Sequence, residues 1–163
     1  MRLRTLSAAL LTLATATACA PTPTDAQQVA ANTRADDRQP PPAVTWGPAP
    51  AIFPRGAQMA VMQGDPGSTS LFTVRLKMPN DYHIPPHTHP TDEIVTVISG
   101  TFRVGMGEKV ERTGMVTLPA GGFVVAPANH AHYAVTRGPT IVQVHAMGPF
   151  AMTYVNPADT PKP

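Results

Sequence analysis

Histidines at close spacing are the residues of this sequence best suited to chemistry. His87 and His89 are separated by one residue, so in an extended segment their side chains share a face, about 7 Å apart along the strand. Two imidazoles in this arrangement can converge on one metal ion, and the prolines on both sides of the pair stiffen the backbone. Glu93 follows at the start of the next apolar segment, where its carboxylate can add an oxygen ligand.

A second polar cluster follows about forty residues later. Gly121 is followed after five residues by Pro127, then by Asn129 and, after two more residues, by His132. Of the two histidines here, His130 and His132, the motif that this pattern resembles selects His132 as the further metal ligand.

The two patterns, over residues 81–100 and 121–136, resemble the two motifs of the cupin superfamily. In that family, the two histidines and the glutamate of the first motif bind one metal ion together with the histidine of the second. The resemblance therefore implies four ligands: His87, His89, Glu93 and His132.

Three positions depart from the family pattern. Asp81 and Asn129 stand where the motifs usually have glycine, and Thr136 stands where the second motif usually ends in asparagine. None of the three is a ligand. Because asparagine tolerates the left-handed backbone conformation, the turn at Asn129 is expected to be preserved.

The remaining histidines are less well placed to take part in the metal site. His83 lies at the wrong spacing and is expected at the surface. His145 alternates with Gln143 on one face of a strand, opposite Val142 and Val144. Either Gln143 and His145 lie on a solvated outer face, which the pattern favours slightly, or they point into the barrel as contacts around the metal or substrate.

Short alternating segments must position these residues. The spacing predicts strands, bounded by glycine and proline, over residues 71–78, 93–99, 102–106, 116–118, 123–126, 132–136, 140–146 and 150–155. Residues 93–99 and 102–106 are expected to form a hairpin at Gly100-Thr101. With 20 prolines and 13% charged residues, the composition favours an all-β chain, and the regular short strands predict a closed barrel or a sandwich. The family resemblance implies a single small barrel of the jelly-roll type. Large side chains expected in its core are Trp46, Phe53, Phe72, Phe102 and Phe150.

The first residues are typical of an export signal. Residues 1–18 combine Arg2 and Arg4 with an apolar run too short to span a bilayer. Cys19, the only cysteine, follows directly and resembles the lipidated cysteine of a bacterial lipoprotein. The alternative is a plain secretory signal in which Cys19 has no role. Both alternatives place the protein outside the cytoplasm. It is expected in the cell envelope or periplasm, with a lipid anchor as its membrane contact, or otherwise as a secreted protein.

The composition divides the rest of the chain. Residues 19–43, rich in proline, threonine and alanine, are predicted to be a disordered tether, residues 44–158 the barrel domain, and residues 159–163 a tail. Without Arg2 and Arg4, ten basic and ten acidic residues remain. This balance argues against a nucleic-acid partner.

The expected cofactor is one divalent transition metal (Fe, Mn, Ni, Zn or Cu), since these ligand types do not select among them. No second catalytic group is recognisable, so any chemistry would belong to the metal. The family resemblance allows a mononuclear enzyme acting on a small molecule, a dioxygenase or an isomerase. The alternatives are a non-catalytic envelope protein that binds or senses a small ligand or metal, and a barrel that keeps a metal for stability alone. The resemblance also implies a homodimer.

Overall fold

The structure is a computed structural model and describes residues 43–162. The predicted signal over 1–18, Cys19 and residues 19–42 of the predicted tether lie outside the described residues. Within the described part, no helix is long and apolar enough to cross a membrane. The strands are β1 (Gly47–Pro48), β2 (Gln58–Gln63), β3 (Leu71–Met78), β4 (His83–Thr88), β5 (Glu93–Met106), β6 (Val116–Pro119), β7 (Phe123–Ala126), β8 (His132–Met147) and β9 (Thr153–Tyr154). Two 3₁₀ turns cover Arg112–Gly114 and Pro157–Asp159.

Alternation of side chains decides which face of each strand is buried. In β3, the apolar residues at positions 72, 74, 76 and 78 are buried, whereas on the other face Lys77 is exposed, Arg75 is half-buried and only Thr73 is buried. This pattern confirms the half-buried strand predicted over residues 71–78.

All strand pairs are antiparallel and form one curled sheet. The order is β1-β2-β3-β8-β4-β9, and β5 lies against β8 along most of its length. The first half of β5 also pairs with β7 and its second half with β6. The sheet thereby closes around one interior, as predicted for a jelly-roll barrel.

The predicted hairpin at Gly100-Thr101 is wrong, because β5 continues through it as one strand of 14 residues. Gly100 has a φ of +81°, and the register of β5 against β8 shifts on both sides of it. A side chain at Gly100 would collide with the backbone of Pro139 and Thr140. Gly100 therefore bends the strand sharply around the barrel instead of reversing it.

The partner strand bends at the same place. The segments predicted as separate strands over 132–136 and 140–146 are one strand, β8, with Gly138 at a φ of +73° between them. The hydroxyl of the buried Thr140 joins the two bends: it accepts a hydrogen bond from Thr101 N at 3.2 Å and lies 3.0 Å from Gly138 O. The facing bends let both strands belong to two sides of the barrel.

Three of the five predicted core aromatics, Phe53, Phe72 and Phe102, are buried. Phe150 is half-buried and packs against the core. Trp46 is half-buried outside the core, with Lys77 Nζ 5.2 Å from its ring centre. The core prediction for Trp46 is therefore wrong: it lies just before the two-residue strand β1, at an edge of the sheet.

Candidate metal centre

The ends of three neighbouring strands bring the predicted ligands together. His87 is the penultimate residue of β4, and His89 follows that strand directly. His132 begins β8 and is the register partner of His87, whereas Glu93 begins β5. All four residues are buried, with exposed fractions of 3% to 8%.

The ligand atoms converge on one point. One ring nitrogen each from His87, His89 and His132 lies within 4.8 Å of the others. Oε2 of Glu93 is 3.2 Å from Nε2 of His132 and 3.7 Å from Nε2 of His89. The three histidines form a cluster compatible with a single metal ion, and the Glu93 carboxylate stands beside it.

Backbone carbonyls orient each imidazole. Nδ1 of His87 is 2.7 Å from Pro85 O, and Nδ1 of His132 is 3.1 Å from His130 O. Nδ1 of His89 is 2.7 Å from Ala151 O. A carbonyl only accepts, so each Nδ1 carries a proton, and Nε2 is the ring nitrogen that each imidazole turns toward the centre of the cluster.

The ring nitrogens and the carboxylate of this cluster fit a metal ion. Among the described residues, Nε2 of His89 is buried and has no hydrogen-bond partner. An unpaired buried nitrogen is costly, and a cation at the centre would satisfy it. Three neutral imidazoles and one carboxylate form a ligand set that transition metals accept, and the metal's identity is not fixed by it.

Burial keeps His87 and His89 neutral. It is the main cause that lowers the pKa of His87 to about 3, with the neighbouring His132 adding to the effect. Burial is likewise the main cause that lowers the pKa of His89, against the opposing effect of Glu93. These rings are in the unprotonated form that binds metals.

Glu93 and His132 stabilise each other's charged forms. Burial by itself would lower the pKa of His132, but the hydrogen bond and charge of Glu93 outweigh it and raise that pKa. Burial would raise the pKa of Glu93, yet His132 and His89 outweigh it and lower that pKa. The Glu93 carboxylate is therefore charged at neutral pH, as a metal ligand must be.

The turn predicted at Asn129 has the expected left-handed conformation. Asn129 has a φ of +59°, and Asp81, which also stands where the family has glycine, has a φ of +54°. The Asn129 N–H donates to His89 O at 2.8 Å, so the second motif holds the backbone of the first.

Thr136, in place of the usual asparagine, is buried: its hydroxyl accepts from Tyr82 N at 2.9 Å and donates to Pro79 O at 2.6 Å.

The other candidate residues lie away from this cluster. The side chain of His130 is exposed, and that of His83 is exposed and 3.0 Å from Asp81. Gln143 and His145 are half-buried on the face of β8 opposite Val142 and Val144. There, His145 Nδ1 lies 2.9 Å from Thr73 Oγ1, and Gln143 Oε1 accepts from Arg75 Nε at 2.9 Å. This placement agrees with the outer-face alternative for Gln143 and His145.

Two residues that contact the cluster, Phe150 and Ala151, were not predicted from the sequence. The ring of Phe150 stacks on that of His89, with centres 4.5 Å apart and planes 26° apart, and Ala151 O holds the same imidazole. The sequence assigned Phe150 only to the core. The sole signal for its position was the Gly148-Pro149 pair that turns the chain just before it.

An apolar chamber of about 170 Å³ adjoins the cluster, with Glu93 in its wall. A smaller cavity of about 30 Å³ reaches His87 and His132 and shares Glu93 with the chamber. The chamber's other large lining side chains are apolar: Ile52, Phe53, Met59, Phe72, Leu76, Phe150 and Met152. Glu93 therefore stands between the histidine cluster and a space in which a small molecule could lie.

Residues 74–148 match the family model of the cupin domain. No curated protein matches the chain significantly. Among solved structures, the polyketide cyclase RemF from Streptomyces resistomycificus is similar, with a TM-score of 0.62 at 15% identity over 76% of this chain and 88% of that one. A proposed acetylacetone dioxygenase from Methylibium petroleiphilum PM1 has a TM-score of 0.55 at 21% identity, over 74% and 81%. The DMSP lyase DddQ from Ruegeria pomeroyi DSS-3 has a TM-score of 0.56 at 23% identity, over 70% and 62%.

These structures differ in the activities that their names state, and at such identities they show the fold alone. The family match spans both motifs and contains all four predicted ligands. Residues 74–148 thus match the cupin domain model, and the described chain has the all-β cupin jelly-roll fold.

Proposed function

We propose that the protein is an exported mononuclear metal-dependent enzyme of the dioxygenase type, acting on a small molecule with a largely apolar body and one polar end. The observation that carries this proposal is the apolar chamber beside a buried cluster of metal-ligating residues. His87, His89, Glu93 and His132 would hold the metal, which when bound can accept oxygen atoms of a substrate and supply redox chemistry.

The chamber restricts what can bind. Its volume of about 170 Å³ is small, and Glu93 is the one charged residue among its lining residues. Since burying an unpaired charge is costly, a charged group could be accommodated only toward the histidine cluster. We therefore expect an uncharged or singly charged substrate whose polar end faces the cluster and whose body contacts Phe72 and Phe150.

The same lining favours oxidation over isomerisation. Isomerisation by proton transfer needs a general base or acid near the substrate. Once Glu93 is a metal ligand, no described residue that lines the chamber can take or give a proton, because the others are apolar side chains or glycine. Redox chemistry needs no such group, and the proposed dioxygenase activity therefore fits this chain better than an isomerase activity does.

Elemental analysis of the purified protein, isolated without affinity metals, tests the first half of the proposal. About one equivalent of a transition metal is expected, and His132→Ala should lose most of it. His145→Ala is the matched control, because it also removes an imidazole from β8, but one that lies on the outer face of the strand and away from the cluster. Equal metal content in both variants would refute the proposed ligand set.

Oxygen uptake with small diketones and diols tests the second half. The metal-loaded protein should consume oxygen only in the presence of a substrate, and His132→Ala should not. Saturable binding of a panel compound without turnover would instead support the alternative of a protein that binds or senses a small ligand. Unfolding on metal removal without any compound bound would support a metal with a structural role only.

Export is a separate part of the proposal, and it rests on the sequence of residues 1–19. A lipid anchor at Cys19 predicts that the protein incorporates labelled palmitate and fractionates with membranes. Cys19→Ser should abolish the label and release the protein. A processed, unlabelled protein whose fractionation is unchanged by Cys19→Ser would favour the plain secretory signal.

A further inference from the structure

A second cavity, of about 420 Å³, lies on the outer face of the barrel. We infer that it is a binding site for a small organic oxyanion, a carboxylate or a phosphate ester, separate from the metal centre. Its floor is formed by β4, β5 and β8, and its rim by the segment between β5 and β6 and by Asp159. Its size lies within the range of about 300–1,000 Å³ usual for small-molecule sites.

Three arginines line the cavity: Arg103 from β5, Arg112 from the 3₁₀ turn and Arg137 from β8. Among the described residues, none of them forms a salt bridge with a carboxylate. Nε of Arg103 is buried and has no hydrogen-bond partner in the described chain. A guanidinium with a desolvated, unpaired N–H is suited to an oxyanion, which accepts from two of its donors at once.

The negative charges of the cavity do not cancel the arginines. Two aspartates line it, Asp81 and Asp159. The carboxylate of Asp81 is 3.0 Å from Nε2 of His83, so it already has a partner within the cavity lining. Three arginines against two aspartates leave the cavity net positive, which attracts an anion.

The rest of the lining is largely hydrophobic and favours a ligand with an apolar carbon skeleton. Its hydrophobic members come from the floor and the rim: Ile84, Pro85, Pro86, Val110, Met115, Ala134 and Val135. An inorganic anion would leave most of this surface without contacts. An organic acid or phosphate ester would place its oxygens at the arginines and its carbon skeleton on these side chains.

The rim segment is held in place without a ligand. The hydroxyl of Tyr133 accepts from Glu111 N at 2.8 Å and lies 3.1 Å from Glu111 O. Arg103 donates from Nη2 to Arg112 O at 3.0 Å. Because the rim is pinned at two points, the cavity is preformed, and little entropy is lost when it is occupied.

The cavity lies across the sheet from the histidine cluster. His132 points inward from β8, whereas the next residue, Tyr133, lines the outer cavity. Ile84 and Ala134 line both this cavity and the interior one, so their side chains form the wall between them. A ligand at the arginines would therefore not occupy the proposed metal site.

Calorimetric titration at constant ionic strength tests the inference, with phenyl phosphate and benzoate as probes and benzyl alcohol as the uncharged control. Saturable binding of one or both anions, and none of benzyl alcohol, is expected. Phenyl phosphate alone would assign a phosphate ester and benzoate alone a carboxylate. The exposed pair Arg112→Gln/Arg137→Gln should weaken binding about tenfold or more, since charge-assisted hydrogen bonds are lost.

The control pair is Arg55→Gln/Lys77→Gln, which removes the same charge from exposed positions outside this cavity. Arg103→Gln should abolish binding, with thermal unfolding used to check that the variant is folded. The inference is overturned if neither anion binds saturably or if both charge pairs weaken binding equally. It is also overturned if His132→Ala removes the binding while the Arg112/Arg137 pair leaves it intact, because the probes would then occupy the metal centre.

Discussion

Nε2 of His132 lies 3.2 Å from Oε2 of Glu93, although the two residues are 39 positions apart and begin different strands. The contact exists because β5 and β8 run side by side, with Glu93 and His132 at opposite ends of the paired region. Each strand bends at a glycine, which brings the two ends to the same part of the interior. The pair of bends at Gly100 and Gly138 therefore brings Glu93 and His132 together in the site.

Glu93→Gln tests the carboxylate as a metal ligand. The variant keeps the side-chain shape and removes the charge, so we expect metal affinity to fall by about tenfold or more. In the metal-free protein, the pKa of His132 should fall, because Glu93 is what raises it. Competition with a chromogenic chelator measures the affinity, and an NMR titration of the imidazole signals measures the pKa. Unchanged affinity with a lowered pKa of His132 would make Glu93 a neighbour of the site and not a ligand.

Phe150→Ala tests the chamber separately from the metal. Phe150 lines the chamber, packs edge-on to Phe72 with ring centres 5.4 Å apart and stacks on His89. Removing it should enlarge the chamber and destabilise the domain by about 2 kcal/mol, less than for a fully buried phenylalanine. We expect metal content close to that of the unchanged protein and a shift of activity or binding toward larger compounds. Loss of the metal with unchanged ligand preference would mean that Phe150 supports His89 only.

The choice of His132 over His130 shows what the sequence can predict. The ligand spacing is local: a turn at Pro127 to Asn129 leads into a strand whose first residue faces inward. The structure places His132 in the cluster and leaves His130 exposed, with only its carbonyl oxygen oriented toward His132. The left-handed turn at Asn129 could be predicted for the same reason, because a single residue's conformational preference decides it.

Gly100-Thr101 and Phe150 show where local patterns stop being sufficient. A glycine after an alternating segment is a turn signal, but whether the chain reverses or only bends depends on its partner, here the backbone around Pro139 and Thr140. Phe150 and Ala151 lie in an irregular segment about sixty residues from His89. No periodicity connects residues so far apart, so only the folded chain reveals their contacts with the site.

Gly105→Ala should destabilise the domain because the ring of Tyr133 covers Gly105 closely. An added Cβ would collide with the ring carbons, so the ring must move and its two hydrogen bonds to Glu111 are lost. We expect a cost of about 2 kcal/mol, comparable with overpacking elsewhere in protein cores. Gly47→Ala is the matched control, since nothing lies within 4 Å of its added Cβ. Urea unfolding of both variants measures the difference, and equal stabilities would mean that Tyr133 moves aside at no cost.

The domain should lose stability in alkaline solution through Tyr82 and Tyr154. Burial is the main cause that raises the pKa of Tyr154 to about 12, with Asp159 adding to it, and burial likewise raises the pKa of Tyr82 above its usual range. Both hydroxyls donate to backbone carbonyls of the segment before β2, that of Tyr154 to Ile52 O at 2.8 Å and that of Tyr82 to Pro54 O. In the unfolded chain these groups lose their protons near pH 10.

The sign of the pH effect follows from these pKa values. Above pH 10 the folded state holds more protons than the unfolded state, so the free energy of unfolding falls as the pH rises toward 12. Below pH 9 the two tyrosines contribute no pH dependence. Urea unfolding at pH 8 to 11 should show this decline, and Tyr154→Phe and Tyr82→Phe should each reduce its slope, because phenylalanine has no proton to lose. A decline as steep in the double variant as in the unchanged protein would assign the alkaline unfolding to other groups.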